Sequence, residues 1–376
     1  MILKRKKRLK LKRQYVVILK ILRIIFFVIM AILCFYFYQI LQLKKIGYSI
    51  VASKNILIAD KKDFIVEIGK NELLNAAFES SYYDEKNLDA YTKIKYQNQK
   101  DIIKNINTLI DKGYSNQNIS IILAHGNNDD VTEFAKKEKV KYLEEFYSVN
   151  YAKLKYYDRY VEYSRETGED EETSVLFVNL GMDKEAYVEP NIVDEFSIDM
   201  LINKYNKVSE NFEPEKLIVI DSKYCNDDVQ MGAEVAVLAF KKMYRAAAQD
   251  GLSLVINSGY RSYEMQEELC DTYRNLYGNN YVKKYVSSPG FSEHHTGLAF
   301  DIGSTSSNVF AESNEYQWML KNAHKYGFIQ RFTKRGENIT GFRSEPWHYR
   351  YVGEEIATYI YEHGITFEQY YVEFLS

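Results

Sequence analysis

The chain predicts an α+β architecture, and three observations predict it. Beyond Pro190, short apolar runs of strand character alternate with amphipathic helical runs; residues 44–196 read as mainly helical; and an uncharged apolar run precedes both. At 376 residues the chain is long enough for two domains and a sizeable buried core.

The apolar run is Ile24–Leu43, IIFFVIMAILCFYFYQILQL. At a helical rise of about 1.5 Å per residue it spans the ~30 Å hydrocarbon layer of a bilayer. Lys44 and Lys45 follow it where a cleaved leader would carry small residues, so an uncleaved anchor is expected. The first 23 residues hold ten Lys/Arg and no acid. Positive charge on that side puts residues 1–23 in the cytoplasm as a basic arm, the anchor at 24–43, and the body outside the cytoplasmic membrane. The other 39 basic residues face all 52 acidic ones, a balance of −13 for the body. Such a surface argues against nucleic acid as a partner.

Residues 44–196 are expected to form a mainly helical extracytoplasmic region without catalytic spacing. Ile102, Ile103, Ile106, Leu109 and Ile110 share one helix face that stops at Gly113, and Ser115 caps a second helix carrying Ile119, Ile122 and Leu123. Leu143–Tyr163 reads as another helical, Tyr-rich stretch, followed by an exposed acidic loop over Thr167–Thr173.

Residues 197–364 read as the α+β domain. Leu217–Ile220 is a strand candidate, Val235–Ala248 a helix closed near Gly251, and Leu252–Ile256 a strand ending in Ser258-Gly259. Ser262 opens a helix with Met265, Leu269, Tyr273 and Leu276 on one face, ended by Gly278. Tyr316–Tyr326 is a further helix ended by Gly327, and Phe328–Phe332 a strand. Thr366 and Gln369 form a capping box that starts a C-terminal helix over 365–376. Cys34 falls in the apolar run, leaving Cys225 and Cys270 as the one pair able to form a disulfide outside the cell.

Three patches carry chemistry: SGYRS at 258–262, SEHHTGLAFD at 292–301, and EPWH at 345–348. A mononuclear Zn²⁺ hydrolase needs three imidazole or carboxylate ligands, an open position, a general base and a cation for the developing oxyanion. His294 and Asp301 are too far apart along a helix to face one another, so a bend at Gly297 has to bring them together. Pro346 disfavours a helix at Glu345–His348, which separates this pattern from the helical HExxH site. His125, His324 and His363 stand outside these patches.

The SxHxxGxAxD pattern, filled by Ser292, His294, Gly297, Ala299 and Asp301, and the following EPWH resemble the VanY-type D-alanyl-D-alanine carboxypeptidases of the zinc LAS peptidase group. SGYRS is similar to that family's arginine-bearing element. The resemblance covers roughly residues 201–364 and implies a LAS-type fold, with a small antiparallel sheet flanked by helices. It implies Zn²⁺ as cofactor, held by His294, Asp301 and His348, with Glu345 as catalytic base and Arg261 as oxyanion stabiliser. Water activated at the metal would then release the terminal D-alanine of peptidoglycan stem peptides. Ser292, His295 and Trp347 would contact substrate or brace the ligands, and Trp347 is expected to pack beneath the site. A same-fold endopeptidase and a non-catalytic wall-binding protein are the alternatives. No Ser is followed three positions later by Lys, which removes the serine-type D,D-peptidases.

Overall fold

The computed structural model describes residues 2–226 and 229–376, with side chains from Tyr15 onward. Met1 of the expected basic arm, and Asp227 and Asp228 of the expected α+β domain, lie outside the described residues. The chain divides into two units: residues 1–148 with 153–155, and residues 149–152 with 156–376.

Among its described residues the first unit contains helices joined by loops and no strand. Its opening helix runs unbroken over Ile2–Ile46. Within it, Tyr15–Ile46 is long and apolar enough to cross a membrane. The last turns depart from the expected span. Ile40 and Leu43 are buried, packed on the side of the helices Ile50–Ile58 and Lys62–Ile68. Lys62 Nζ donates to Gln42 Oε1 at 2.6 Å and also to Gln39 Oε1. The unbroken run of exposed residues ends at Tyr38, and Leu41 beyond it is exposed again. The Ile102–Asp111 and Asn116–His125 helices form as expected, with Gly113 left-handed at φ 80° and Ser115 Oγ accepting from Asn118 N at 3.0 Å.

Two expectations hold only in part in the connecting stretch. Leu143–Tyr163 is not one helix but a turn at Leu143–Phe146, a 3₁₀ turn at Leu154–Tyr156 and a helix at Tyr157–Thr167. Ser148 Oγ donates to the Glu145 carbonyl at 2.7 Å at the end of the first of these turns. The acidic stretch Thr167–Thr173 is an exposed loop only at Gly168–Asp170, and from Glu171 it is already helix. Asp170 accepts from Thr173 N at 2.7 Å and caps Glu171–Asn179, whose first turn places Glu171 and Glu172 on the positive end of the helix dipole.

Among its described residues the second unit holds eight strands. β1 (Asn191–Ile192) pairs with β2 (Asn206–Lys207), and β3 (Leu217–Val219) pairs antiparallel with β4 (Met231–Ala233). β5 (Leu254–Ser258), β6 (Ala299–Ser304), β7 (Phe328–Gln330) and β8 (His348–Tyr351) form one antiparallel sheet in the order β5-β6-β8-β7. The Leu217 run is thus a separate ribbon rather than part of the main sheet. Alternation along the strands divides the faces: Phe300, Ile302 and Tyr349 join Phe240 and Met243 of the Glu234–Gln249 helix in the main core, while Asp301 and His348 point the other way.

The helix opened by Ser262 covers Tyr263–Tyr277, but its expected apolar face is not its buried one. Met265 is 51% and Leu276 66% exposed, whereas Gln266 and Cys270 are buried. Cys225 and Cys270 are both free thiols. The capping box at Thr366 and Gln369 is complete and starts the helix Phe367–Phe374.

Candidate metal centre

Strand register makes the first half of the site. Asp301 on β6 lies directly opposite His348 on β8, so their side chains rise from the same face as a cross-strand pair. His348 Nδ1 stands 3.2 Å from Asp301 Oδ1. The second half comes from the loop before β6. Glu293–Thr296 is a single 3₁₀ turn capped by Ser292, and Gly297 turns the chain into β6 at φ 65°. A Cβ at Gly297 would lie 2.8 Å from Ala233 N and 3.0 Å from Leu217 Cδ2, so only glycine passes there. This bend carries His294 Nε2 to 3.5 Å from Asp301 Oδ2.

One ligand atom from each of His294, Asp301 and His348 falls within 4.8 Å of the others. The remaining ring nitrogens are held from behind. His294 Nδ1 donates to Gly259 O at 2.7 Å, leaving the Nε2 lone pair facing Asp301. His348 Nε2 faces Glu293 Oε2 at 3.2 Å, leaving Nδ1 toward Asp301. Asp301 Oδ1 is buried and makes no hydrogen bond. Two imidazole nitrogens facing a common point, one unsatisfied carboxylate oxygen and a hydrogen-bond partner behind each ring suit Zn²⁺, whose ligands bind at about 2.0–2.2 Å.

Electrostatics follow from the burial. Burial would raise the Asp301 carboxyl, yet His294 and His348 hold it far below its ordinary range. Burial lowers His294 against the opposing pull of Asp301. Burial would also lower His348, but Asp301, Glu293 and Glu345 outweigh it and hold its proton up to about 10. A cation at Nδ1 therefore competes with a proton. Glu345 Oε2 is 3.8 Å from His348 Nδ1, and burial pushes this carboxyl up, with His348 opposing. Arg261 donates to Gln266 Oε1 at 2.6 Å and to Ser258 Oγ at 3.3 Å, a grip that aims the guanidinium. Arg261, Glu345 and the three ligand candidates line one cleft of about 230 Å³, together with Trp347.

The supporting residues sort differently from the expectation. Ser292 Oγ accepts from His294 N at 3.4 Å and braces the turn. His295 has both ring nitrogens engaged by backbone, Nδ1 at 2.7 Å from Arg261 O and Nε2 accepting from Gly290 N at 3.0 Å, and burial holds it neutral at about 4. Trp347 does not pack beneath the site: it is 44% exposed at the cleft wall, because His348 already takes the inward position of that strand end. Sequence reasoning missed Gln266, which ties Arg261 to Ser287 O at 2.7 Å, and Glu293 behind His348. The only available signal for Glu293 was an acid beside a ligand histidine.

A family model described as VanY, D-alanyl-D-alanine carboxypeptidase, matches residues 230–354. The YodJ protein of Bacillus subtilis is 38% identical over 179 residues, 46% of this chain and 66% of that protein. The bifunctional D-Ala-D-Ala dipeptidase and D-Ala-D-Ala carboxypeptidase VanXYC of Enterococcus gallinarum is 33% identical over 180 residues, 46% of this chain and 92% of that protein. A solved vancomycin-resistance D,D-pentapeptidase VanY, in complex with Zn(II), is 32% identical and covers 47% of this chain and 99% of its own, with a TM-score of 0.41. The chain spans between 51% and 66% of the length of the first three curated relatives. Most of an E. gallinarum relative is matched at one residue in three, and the stretch matched by the family model, residues 230–354, holds His294, Asp301 and His348. The chain belongs to the VanY family of D-alanyl-D-alanine carboxypeptidases.

Proposed function

We propose that this chain is a membrane-anchored zinc carboxypeptidase that removes the terminal D-alanine from D-Ala-D-Ala-ended stem peptides of peptidoglycan. The observation that carries the reading is the convergence of His294, Asp301 and His348 in a cleft also lined by a carboxylate and a guanidinium. In this reading those three residues hold Zn²⁺, which when bound supplies a Lewis acid that acidifies water and polarises a carbonyl. Glu345 takes a proton from the attacking water and returns it to the leaving amine, a role that suits a carboxyl raised by burial. Arg261, held by Gln266 and Ser258, donates to the scissile carbonyl oxygen as negative charge gathers there. Trp347, exposed at the wall, offers an apolar surface to the substrate backbone.

The apolar stretch of the first helix supports anchoring in the cytoplasmic membrane with the N-terminus inside and the second unit outside. The proposed anchor, residues 24–43, lies within the apolar stretch Tyr15–Ile46, with Lys20 and Arg23 on its N-terminal side reaching the headgroups. Residues 197–364 are the zinc domain of this proposal and residues 44–196 an extracytoplasmic helical module.

The test is D-alanine release from a pentapeptide ending in D-Ala-D-Ala by the zinc-loaded full chain. Release that disappears in Glu345→Gln, with zinc content unchanged, is the expected result. A cut elsewhere in the stem or bridge would make the protein an endopeptidase, and binding without any cut would make it a wall-binding module.

A further inference from the structure

Four buried charges at and beneath the cleft wall take no part in the reaction proposed above. Glu293 is 4% exposed, Arg331 2%, Arg350 0% and Glu368 1%. Side chains this deep are costly to ionise unless each is paired and hydrogen-bonded, and here each is. Arg331 Nε donates to Glu293 Oε1 at 2.8 Å. Its Nη1 and Nη2 grip Glu368 Oε2 and Oε1 at 2.9 and 2.5 Å, a bidentate pair. Arg350 Nη1 donates to Glu293 Oε1 at 3.3 Å, while its Nη2 is fixed by Met200 O at 2.9 Å and Ile198 O at 3.2 Å.

The two oxygens of Glu293 therefore do different work. Oε1 takes both arginines, which fixes the carboxylate plane, and Oε2 is left 3.2 Å from His348 Nε2. With its hydrogen on Nε2, His348 keeps a lone pair on Nδ1, the nitrogen that faces Asp301. Well-packed apolar residues would hold these elements together at least as well as an ionic quartet, so stability alone does not account for it. Its distinguishing property is where it ends: against a ligand imidazole at one side, and on the C-terminal helix Phe367–Phe374 at the other.

We propose that Glu293 is a positioning residue that sets the tautomer and orientation of His348, and that the C-terminal helix, through Glu368 and Arg331, clamps Glu293 in place. Metal affinity of the cleft thus depends on a helix that contributes no atom to its lining. The inference rests on the reading that His348 ligates zinc.

The experiment measures zinc affinity of the detergent-solubilised full chain by competition with a chromophoric chelator, alongside the visible spectrum of the Co²⁺-loaded protein. Glu293→Gln is expected to weaken zinc binding by about 10- to 100-fold and to change the cobalt bands, with Glu293→Asp recovering part of both. Glu368→Gln, far from the cation, is expected to weaken binding by a smaller factor and to add nothing further in a Glu293→Gln background. Saturating zinc should restore kcat in each variant, which a misfolded chain would not allow. Wild-type affinity in folded Glu293→Gln, or in Glu368→Gln should Glu293→Gln fail to fold, overturns the proposal and leaves the zinc reading standing. Wild-type affinity in His348→Ala overturns both.

Discussion

Arg261 illustrates how little freedom the site leaves a single side chain. Its fork reaches Gln266 and Ser258 at once, a geometry that a lysine ammonium lacks. Arg261→Lys is expected to lower kcat by about 100- to 1,000-fold with a small effect on Tm, as for removal of one oxyanion donor; a kcat within a factor of a few of wild type would contradict the role. The ionisable groups make a second prediction, for protein held in excess chelator. Glu293 and Asp301 are held below their ordinary values of 4.5 and 3.8, so their contribution to stability is present above those values and fades as the pH falls beneath them. His348 is raised from 6.5 to about 10, so its contribution is complete below 6.5 and fades as the pH rises toward 10. Tm of the chelated protein should therefore fall on both sides, on acidification below about 4.5 and on alkalinisation above about 6.5. A flat profile through the acid side would contradict the buried pairing.

At the scale of elements, the turn from the Glu293–Thr296 loop into β6 is the critical joint. Gly297→Ala adds a Cβ that meets the backbone of Ala233, at a φ that L side chains rarely adopt. A loss of about 1–3 kcal/mol is expected, read as a lowered Tm together with weaker zinc binding. The ligand-bearing loop and the non-helical character of EPWH were legible because glycine and proline fix backbone shape locally, although Pro346 and Trp347 form a turn, with His348 N donating back to Glu345 O at 3.3 Å, rather than an extended segment. Helix caps were legible for the same reason, at Ser115, Ser262 and Thr366. What stayed hidden was decided over distance. The Glu293–Arg331 and Arg331–Glu368 pairs join residues 38 and 37 apart in sequence, and no local pattern announces them. The Ser262 helix misled because its apolar residues Leu269 and Tyr273 line the cleft, while Gln266 goes inward to hold Arg261.

For the whole molecule, the first unit carries the one helix among the described residues that is long and apolar enough to span a bilayer, and the second carries the cleft. The full chain should remain with membranes through an alkaline carbonate wash, and a chain lacking residues 1–38 should be released. Retention of that shortened chain would move the membrane contact elsewhere. The central claim concerns one cation. Diffraction collected on both sides of the zinc absorption edge should give a single anomalous peak bonded to His294 Nε2, His348 Nδ1 and an Asp301 carboxylate oxygen, at about 2.0–2.2 Å. A zinc-loaded crystal with its peak on other residues, or with those three side chains turned from a common centre, would contradict it.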